Sequence, residues 1–267
     1  MAGHSKWANI KRQKARVDAV KGKVFTKISR EIIVAARSGV PDPAANFQLR
    51  TAIEKAKAAS IPADNIDRAI AKGAGRGADN IELEAIRYEG YGSGGVAVLI
   101  EALTDNRNRT AATLREAFSK NGGNLGESGC VGWMFEQKGV VEVVMTSQVK
   151  QGRNRILDNA VNEEEFLDVC LEGGAETYEL IDTEDGKVAE VLTEVENLEA
   201  LSQTLKNKYT VSLVELRWIP TTTIEVDRPD LARSLLRLMD ALEDLDDVQT
   251  VTANFEMTAD LMTSSLA

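Results

Sequence analysis

The chain has 267 residues, of which 43% are hydrophobic and 28% charged, and its formal net charge is −10 at pH 7. At roughly 150 residues per domain this length predicts two or three domains, and the apolar content argues against wholesale disorder. No apolar run approaches the ~18 residues that a membrane-spanning helix needs, and the first residues lack the apolar core of a secretory signal. We therefore expect a cytoplasmic protein with no membrane partner.

Histidine and cysteine are too scarce for the commonest catalytic and metal sites. The one histidine, His4, lies in a terminal segment of the kind that is usually poorly ordered, which argues against Ser-His-Asp and Cys-His catalysis. Cys130 and Cys170 have no CxxC partner, so a zinc site is not expected. No group of acids has a partner suited to general acid–base chemistry. We predict no catalytic residue, metal, cofactor or small-molecule substrate, and therefore no enzyme.

The charge is distributed unevenly along the chain. Residues 1–76 contain 16 Lys and Arg against 6 Asp and Glu, whereas residues 77–267 contain 16 against 36. A basic end on an acidic body is typical of a module that binds a polyanion. The first thirty residues hold nine basic side chains and the single acid Asp18, with Trp7 and Phe25 between them. Because Lys and Arg neutralise phosphates and aromatic rings stack on bases, this segment favours nucleic acid over its alternative, a solubilising basic tail.

The basic end is predicted to be helical. Apolar residues at spacings of three and four predict a helix over residues 23–37. The pair Asp42 and Pro43 predicts the N-cap and first turn of a second helix, and a third is expected over residues 62–73. A glycine-rich linker follows. Three short helices with a basic leader predict a small bundle, which we assign to residues 1–79.

Beyond this bundle the apolar pattern changes to mixed strands and helices. Residues 96–100 predict a buried strand, and residues 111–118 predict the apolar face of a helix that ends at a glycine pair. Residues 131–136 predict a second strand. These elements form one β-α-β half of a domain.

A complete β-α-β-β-α-β unit follows, which is the ferredoxin-like order. Asn162 is predicted to cap its first helix, with Glu165 as the partner of a capping box, and Leu198 marks the second helix. Its four predicted strands span residues 139–145, 176–181, 188–193 and 211–218.

The last part of the chain predicts a second β-α-β half, with strands over residues 221–226 and 248–257 around a helix that begins at Pro229. The economical interpretation is a discontinuous α+β domain, residues 80–136 with 219–267. Residues 137–218 are inserted in it as a ferredoxin-like α+β domain. The predicted fold class is thus α+β with three domains, an N-terminal helical bundle and two α+β domains, one inserted in the other.

Two charged clusters lie outside the basic end. The turn over residues 104–110 joins a strand to a helix and carries Arg107 and Arg109. A helix N-terminus with two arginines predicts a phosphate site, and the alternative is a capping turn with surface arginines. The acids between Asp240 and Asp247 lack calcium-loop spacing and are interpreted as a solvated helix end.

Five motifs taken together resemble those of a known family. They are GHSKWANIK at residues 3–11, GKVFTK at 22–27, YEGYG at 88–92, LTDNRNRT at 103–110 and GGNLG at 122–126. Their order over essentially the whole chain is similar to that of the YebC/PmpR family, which includes the mitochondrial translational activator of cytochrome c oxidase. The resemblance implies a helical N-terminal domain and two α+β domains around a cleft.

The resemblance also implies a function. Bacterial members are usually described as DNA-binding transcriptional regulators, whereas the mitochondrial relative and some bacterial members act in translation on the ribosome. We therefore expect a non-enzymatic DNA-binding regulator, with a ribosome-associated factor that binds ribosomal RNA or tRNA as the alternative. Because no recognition helix can be assigned, backbone and shape recognition is expected. The predicted contact residues are Lys6, Trp7, Lys11, Arg12, Lys14, Arg16, Lys21, Lys23, Lys27, Arg107 and Arg109.

The chain departs from the family pattern at two single positions and in one segment, residues 147–161, which is longer and more basic than usual. Ser93 stands where the family usually has proline, which predicts a looser turn. Asn121 replaces a common histidine before the glycine pair, so any role of that histidine is absent here.

Overall fold

The computed structural model describes residues 21–76, 83–151, 154–158, 161–183 and 186–265. They form two compact units, of which the first comprises the residues before Glu136 and after Ile219, and the second comprises Glu136–Ile219. Both helices and largely antiparallel sheets are present, which confirms the predicted α+β class.

The helices and strands of the described residues are as follows. The helices are α1 (Lys21–Ser38), α2 (Phe47–Ala58), α3 (Ala63–Gly73), α4 (Arg107–Lys120), α5 (Glu163–Glu172), α6 (Leu198–Lys206), α7 (Pro229–Glu243) and α8 (Ala259–Ser265). The strands are β1 (Glu84–Tyr91), β2 (Ala97–Thr104), β3 (Asn124–Leu125), β4 (Phe135–Gln151), β5 (Asn154–Asp158), β6 (Thr177–Thr183), β7 (Gly186–Thr193), β8 (Val211–Pro220), β9 (Ile224–Glu225), β10 (Val248–Ala253) and β11 (Phe255–Glu256).

Helices α1, α2 and α3 pack around a small core of their own. Ile32, Leu49 and Ala56 are buried at its centre. Gly73 ends α3 so close to α1 that a Cβ atom there would lie 2.4 Å from the carbonyl oxygen of Ile33. The third helix therefore ends at the residue that the sequence predicts, and Gly73 is needed there because the absence of a side chain lets α3 approach α1 closely.

The second helix begins later than predicted, at Phe47 and not beside Pro43. Asn46 is the cap, because its Oδ1 accepts from the backbone N–H of Leu49 at 3.0 Å while its Nδ2 donates to the carbonyl of Ala35 at 2.8 Å. Asp42 instead accepts from the N–H of Ala44 in a local turn. The tertiary hydrogen bond of Asn46 to α1 decides between two residues that are equally good caps in the sequence.

The first unit contains a four-stranded sheet in the order β10-β2-β1-β3, with antiparallel neighbours. Helices α4 and α7 pack on it through a continuous apolar core. Leu114 and Phe118 from α4 and Leu235 and Leu238 from α7 are fully buried in that core. Strand β10 comes from the far end of the sequence and pairs with β2, which joins the two chain segments of this unit in one sheet.

The second unit has the predicted ferredoxin-like strand order. Strand β4 lies between β7 and β8, and β6 pairs with β7 on the outer side, so the order is β6-β7-β4-β8. Phe166 of α5 is buried against the rings of Tyr178 and Tyr209, at centroid distances of 5.4 and 5.3 Å. The C-terminal part of β4 also pairs with β5 as a hairpin, from Ser147 opposite Asp158 to Gln151 opposite Asn154. The hairpin was not predicted.

Two predicted strands are shorter than expected and one is interrupted. Residues 131–134 enter a short 3₁₀ turn instead of a strand, because the N–H groups of Val131 and Gly132 donate to a carboxylate. Of residues 221–226, β9 forms only at Ile224–Glu225, parallel to β11. Strand 248–257 breaks at the buried Asn254, whose Oδ1 accepts from the N–H of Ala97 at 2.7 Å.

Within the part of the chain that the structure describes, no helix is both long enough and apolar enough to cross a membrane.

Candidate nucleic-acid interface

The structure describes five of the eleven predicted contact residues. The others lie outside the described residues and are Lys6, Trp7, Lys11, Arg12, Lys14 and Arg16. Lys21 is the first residue of α1, and Lys23 and Lys27 follow on the same helix. Arg107 and Arg109 lie in the first turn of α4.

Three basic residues of α1, Lys23, Lys27 and Arg30, contact the last turn of α7 or the loop that follows it. The Nζ of Lys23 lies 3.2 Å from a carboxylate oxygen of Asp244, and the Nζ of Lys27 donates to the backbone carbonyl of Glu243 at 2.7 Å. Arg30 donates to the carbonyls of Leu103 and Asp246. The carbonyls at a helix C-terminus carry partial negative charge, so this end of α7 attracts the cations of α1.

The turn before α4 holds its two arginines in different ways. Asn106 caps the helix by accepting from the N–H of Arg109 at 3.1 Å. The Arg109 guanidinium lies 2.6 Å from Asp105 and 3.0 Å from Asp247. Arg107 points to solvent, with 66% of its side chain exposed, and its nearest acid, Glu84, is 3.5 Å away. Arg107 is therefore better placed than Arg109 to contact an external phosphate.

Asp247 contacts both of the segments that carry predicted contact residues, α1 and the turn over residues 104–110. Its Oδ1 accepts from Arg30 at 2.8 Å, and its Oδ2 lies 3.0 Å from Arg109, 2.7 Å from the Thr110 hydroxyl and 3.2 Å from the Thr104 hydroxyl. The side chain is only 13% exposed. Burial alone would raise the pKa of Asp247, but the hydrogen bonds from Thr110, Arg109 and Arg30 outweigh it and hold the pKa below its ordinary value.

The interpretation of the acids between Asp240 and Asp247 as a solvated helix end was therefore wrong for Asp247. Asp244 and Asp246 are exposed, as expected for that interpretation. No local pattern separates Asp247 from them, because its partners come from α1 and from the 104–110 turn. Arg30 was likewise counted among the basic residues but not among the predicted contacts.

A second buried carboxylate lies in the YEGY motif. Glu89 is 3% exposed and accepts from the backbone N–H groups of Gly129, Val131 and Gly132 at 2.9, 2.7 and 2.6 Å. Burial acts to raise the pKa of Glu89, and these three donors overcome it and lower the pKa. The loop that Glu89 holds leads directly to Trp133, whose side chain is 72% exposed. An exposed indole of this kind can stack on a base, and the sequence reasoning missed it.

The two single-residue departures from the family pattern, Ser93 and Asn121, are linked through Ser234. The Ser93 hydroxyl donates to the Ser234 hydroxyl at 2.8 Å, and Ser234 donates to the carbonyl of Asn121 at 2.7 Å. Ser93 thereby ties its turn to α7 and to the end of α4, so the expectation of a loosened turn was wrong. The side-chain amide of Asn121 donates to the carbonyl of Ala117 and closes the last turn of α4.

Two family models match this chain in succession. The model of the TACO1/YebC protein N-terminal domain matches residues 5–76, and that of the TACO1/YebC second and third domain matches residues 83–255. The chain belongs to the TACO1/YebC family. This confirms the expected membership, and the boundary between the two matches falls where the predicted helical bundle ends.

Relatives of the TACO1/YebC family are similar over the full length. Proteins from Gloeothece citriformis and Nostoc punctiforme are 67% and 66% identical over 269 residues, cover 100% of both chains, and are each named probable transcriptional regulatory protein. The crystal structure of a conserved hypothetical protein from Aquifex aeolicus is 44% identical, with a TM-score of 0.78. It covers 91% of this chain and is itself covered to 93%. This chain thus shares its sequence with the first two proteins over the full length, and its fold with the protein from Aquifex aeolicus.

Proposed function

We propose that this TACO1/YebC protein is a non-enzymatic regulator of gene expression that binds nucleic acid, and DNA in the first instance, through its basic N-terminal domain. The observation that carries the proposal is the reversal of charge, from 16 basic and 6 acidic residues in residues 1–76 to 16 and 36 in the rest. A polyanion is attracted to the first part and repelled by the second. The names of the bacterial relatives favour transcription as the process that is regulated.

The contacts of α1 show which of its basic residues are less available to bind a phosphate. Lys27 and Arg30 donate to carbonyls and a carboxylate of the same molecule, so their charges are partly satisfied. The pair of Lys23 and Asp244 has exposed side chains, and such pairs contribute little and exchange readily. We therefore assign the main phosphate contacts to Lys6, Lys11, Arg12, Lys14 and Arg16, with Arg107 as a contact on the α+β part.

Recognition through the backbone and the shape of the nucleic acid fits this arrangement. Lys and Arg contact phosphates without reading sequence, whereas base-specific recognition needs side chains placed against base edges in a groove. The same cations would neutralise ribosomal RNA or tRNA, which is why a translation factor is the alternative function.

The proposal is tested by reversing four charges of the basic segment. The variant Lys11→Glu, Arg12→Glu, Lys14→Glu, Arg16→Glu should lose binding to a labelled DNA duplex while its melting temperature stays nearly unchanged. For the wild type, the logarithm of the affinity should fall with the logarithm of salt concentration by about 0.7–0.9 per phosphate contact.

The matched control reverses four exposed basic residues of the acidic body, Arg87, Arg115, Lys206 and Lys208. It changes the net charge by the same amount, so a general loss of attraction would affect both variants equally. Wild-type binding that survives the N-terminal substitutions contradicts the assignment.

A further inference from the structure

A basic pocket lies in the acidic body, between the end of α4 and one face of α7. It has a volume of about 290 Å³. On α7, Asp230, Arg233, Ser234 and Arg237 are spaced three, one and three residues apart, which places them on the same side of the helix. The pocket is lined by Lys120, Asn121, Gly122, Asp230, Arg233, Ser234 and Arg237.

The wall opposite α7 is held in place by specific contacts. Gly122 has a φ of 73°, a left-handed conformation that turns the chain sharply at the end of α4. A Cβ atom at Gly122 would lie 3.2 Å from the hydroxyls of both Ser93 and Ser234. Those hydroxyls are themselves linked and lead to the carbonyl of Asn121. The pocket is therefore a built feature of the fold and not a gap between mobile side chains.

The charges around the pocket favour an anion. Its lining has three cationic side chains and one acid, Asp230, which already forms a two-point ion pair with Arg228 at 2.6 and 3.2 Å. Arg233 donates only its Nε to the carbonyl of Pro229, and Arg237 has no hydrogen bond or ion pair with any described residue. Two guanidinium groups, one helical turn apart, thus face solvent with unused donors in a part of the chain whose net charge is strongly negative.

We propose that this pocket binds a phosphate group of a nucleic-acid backbone, as a further contact point apart from the basic N-terminal segment and Arg107. The guanidinium fork matches the geometry of phosphate oxygens, and a pair of such forks holds one phosphate or two neighbouring ones. The volume lies just below the ~300–1,000 Å³ of ordinary small-molecule sites, which suits a single phosphate group of a longer strand. The inference rests on the proposed function, since it assigns a further subsite for the same ligand.

The test compares two single substitutions with the same change in charge. Arg237→Glu removes a pocket cation, and Arg115→Glu removes an exposed cation of α4 that does not line the pocket. Both should fold normally, because exposed substitutions usually change stability by no more than about 0.5 kcal/mol. Binding of the full-length protein to labelled single-stranded and duplex DNA is measured over a range of salt concentrations.

We expect Arg237→Glu to weaken binding by about tenfold or more and to reduce the salt slope by about 0.7–0.9, as for one lost phosphate contact. Arg115→Glu should leave the slope unchanged, and Arg237→Lys should keep most of the slope because it keeps the charge. If Arg237→Glu and Arg115→Glu behave alike, the pocket assignment is overturned.

A competition arm separates a strand from a free small molecule. Inorganic phosphate and nucleoside monophosphates should displace the oligonucleotide only at concentrations far above those of the strand. If a mononucleotide instead binds tightly and Arg237→Glu abolishes that binding while strand binding is unchanged, the pocket is a small-molecule site and the proposal fails. Strand binding that is lost in the N-terminal fourfold variant but is insensitive to Arg237→Glu overturns the pocket alone. A wild type that binds no nucleic acid contradicts both proposals.

Discussion

Arg30 and Asp247, which are 217 residues apart in the sequence, form an ion pair of 2.8 Å between Nη1 and Oδ1. The pair links α1 of the helical bundle to the loop that follows α7. Arg109 and the hydroxyls of Thr104 and Thr110 contact the other oxygen of Asp247, so three chain segments meet at one carboxylate. The partly buried pair of Arg30 and Asp247 thereby attaches α1 to the α+β part, whereas the pair of Lys23 and Asp244 is exposed.

Replacing Asp247 with Asn should destabilise the protein. The change leaves Arg30 and Arg109 without their shared anion in a site where Asp247 is 13% exposed. Loss of a partly buried charged hydrogen-bond network costs about 2 kcal/mol, which corresponds to a fall of roughly 4–8 °C in the melting temperature of a unit of this size. Thermal unfolding measures this fall in melting temperature. The control is Asp246→Asn, a substitution of a neighbouring exposed acid. Equal melting temperatures for the two variants would show that Asp247 is not a stabilising contact.

Glu89 should make stability depend on pH in the acid range. Its pKa is lowered in the folded state, so it contributes stability above its ordinary pKa of about 4.3 and loses that contribution as the pH falls through the folded value. Asp247 acts in the same direction. Replacing Glu89 with Gln should cost about 1–3 kcal/mol at neutral pH, because three N–H donors lose a charged acceptor.

The difference in unfolding free energy between wild type and Glu89→Gln should shrink as the pH is lowered below about 4. Urea unfolding at a series of pH values measures it, and Glu127→Gln, an exposed acid of the adjoining loop, is the matched control. A difference that stays constant down to pH 3 means that Glu89 is not the titrating group.

Gly73 and Gly22 should respond oppositely to alanine. At Gly73 the new Cβ would meet the carbonyl of Ile33 at 2.4 Å and the Cβ of Ala36 at 2.7 Å, which should destabilise the helical bundle by about 1–3 kcal/mol. At Gly22, in the first turn of α1, no atom of the described residues lies within 4 Å of the added Cβ, so alanine should be neutral or stabilising. Far-UV circular dichroism during thermal unfolding compares the two variants. A Gly73→Ala protein as stable as Gly22→Ala would contradict the close contact between α1 and α3.

The two thiols should differ in reactivity. Burial raises the pKa of Cys170 to about 11, whereas Cys130 is half-buried, with its pKa raised by burial and by Glu89. At pH 8 Cys170 in a Cys130→Ser variant should react with a thiol reagent only as fast as the protein opens, while Cys130 in a Cys170→Ala variant should react faster. Native Cys170 that reacts as fast as free cysteine would contradict its buried position.

Elements that depend on local patterns were predictable from the sequence. Asn162 caps α5 by accepting from the N–H groups of Glu164 and Glu165, as its spacing from the apolar residues predicts. Strands β6 and β7 lie close to their predicted positions, because alternation on a half-buried sheet is itself a local signal. The order of these elements then identified the ferredoxin-like unit.

Features that depend on distant partners were not predictable in this way. Residues 131–134 have the apolar composition of a strand, but the N–H groups of Val131 and Gly132 donate to Glu89, which is about forty residues earlier in the chain. Asn46, and not Asp42, caps α2 because its side chain also donates to α1. Asp247 differs from its neighbouring acids because its partners Arg30 and Arg109 lie far away in the sequence. The assignment of domains to residues 1–79, 80–136 with 219–267, and 137–218 stays a prediction, as do the contact residues of the basic segment.

The measurement that tests the central claim most directly is crosslinking in cells, followed by recovery of the protein and sequencing of both the DNA and the RNA bound to it. Wild-type protein and the Lys11→Glu, Arg12→Glu, Lys14→Glu, Arg16→Glu variant are compared at equal abundance. We predict enrichment of discrete promoter fragments with the wild type and their loss with the variant. Recovery of ribosomal RNA or tRNA without promoter DNA, or equal recovery by both proteins, would contradict a DNA-binding regulator that acts through its basic N-terminal segment.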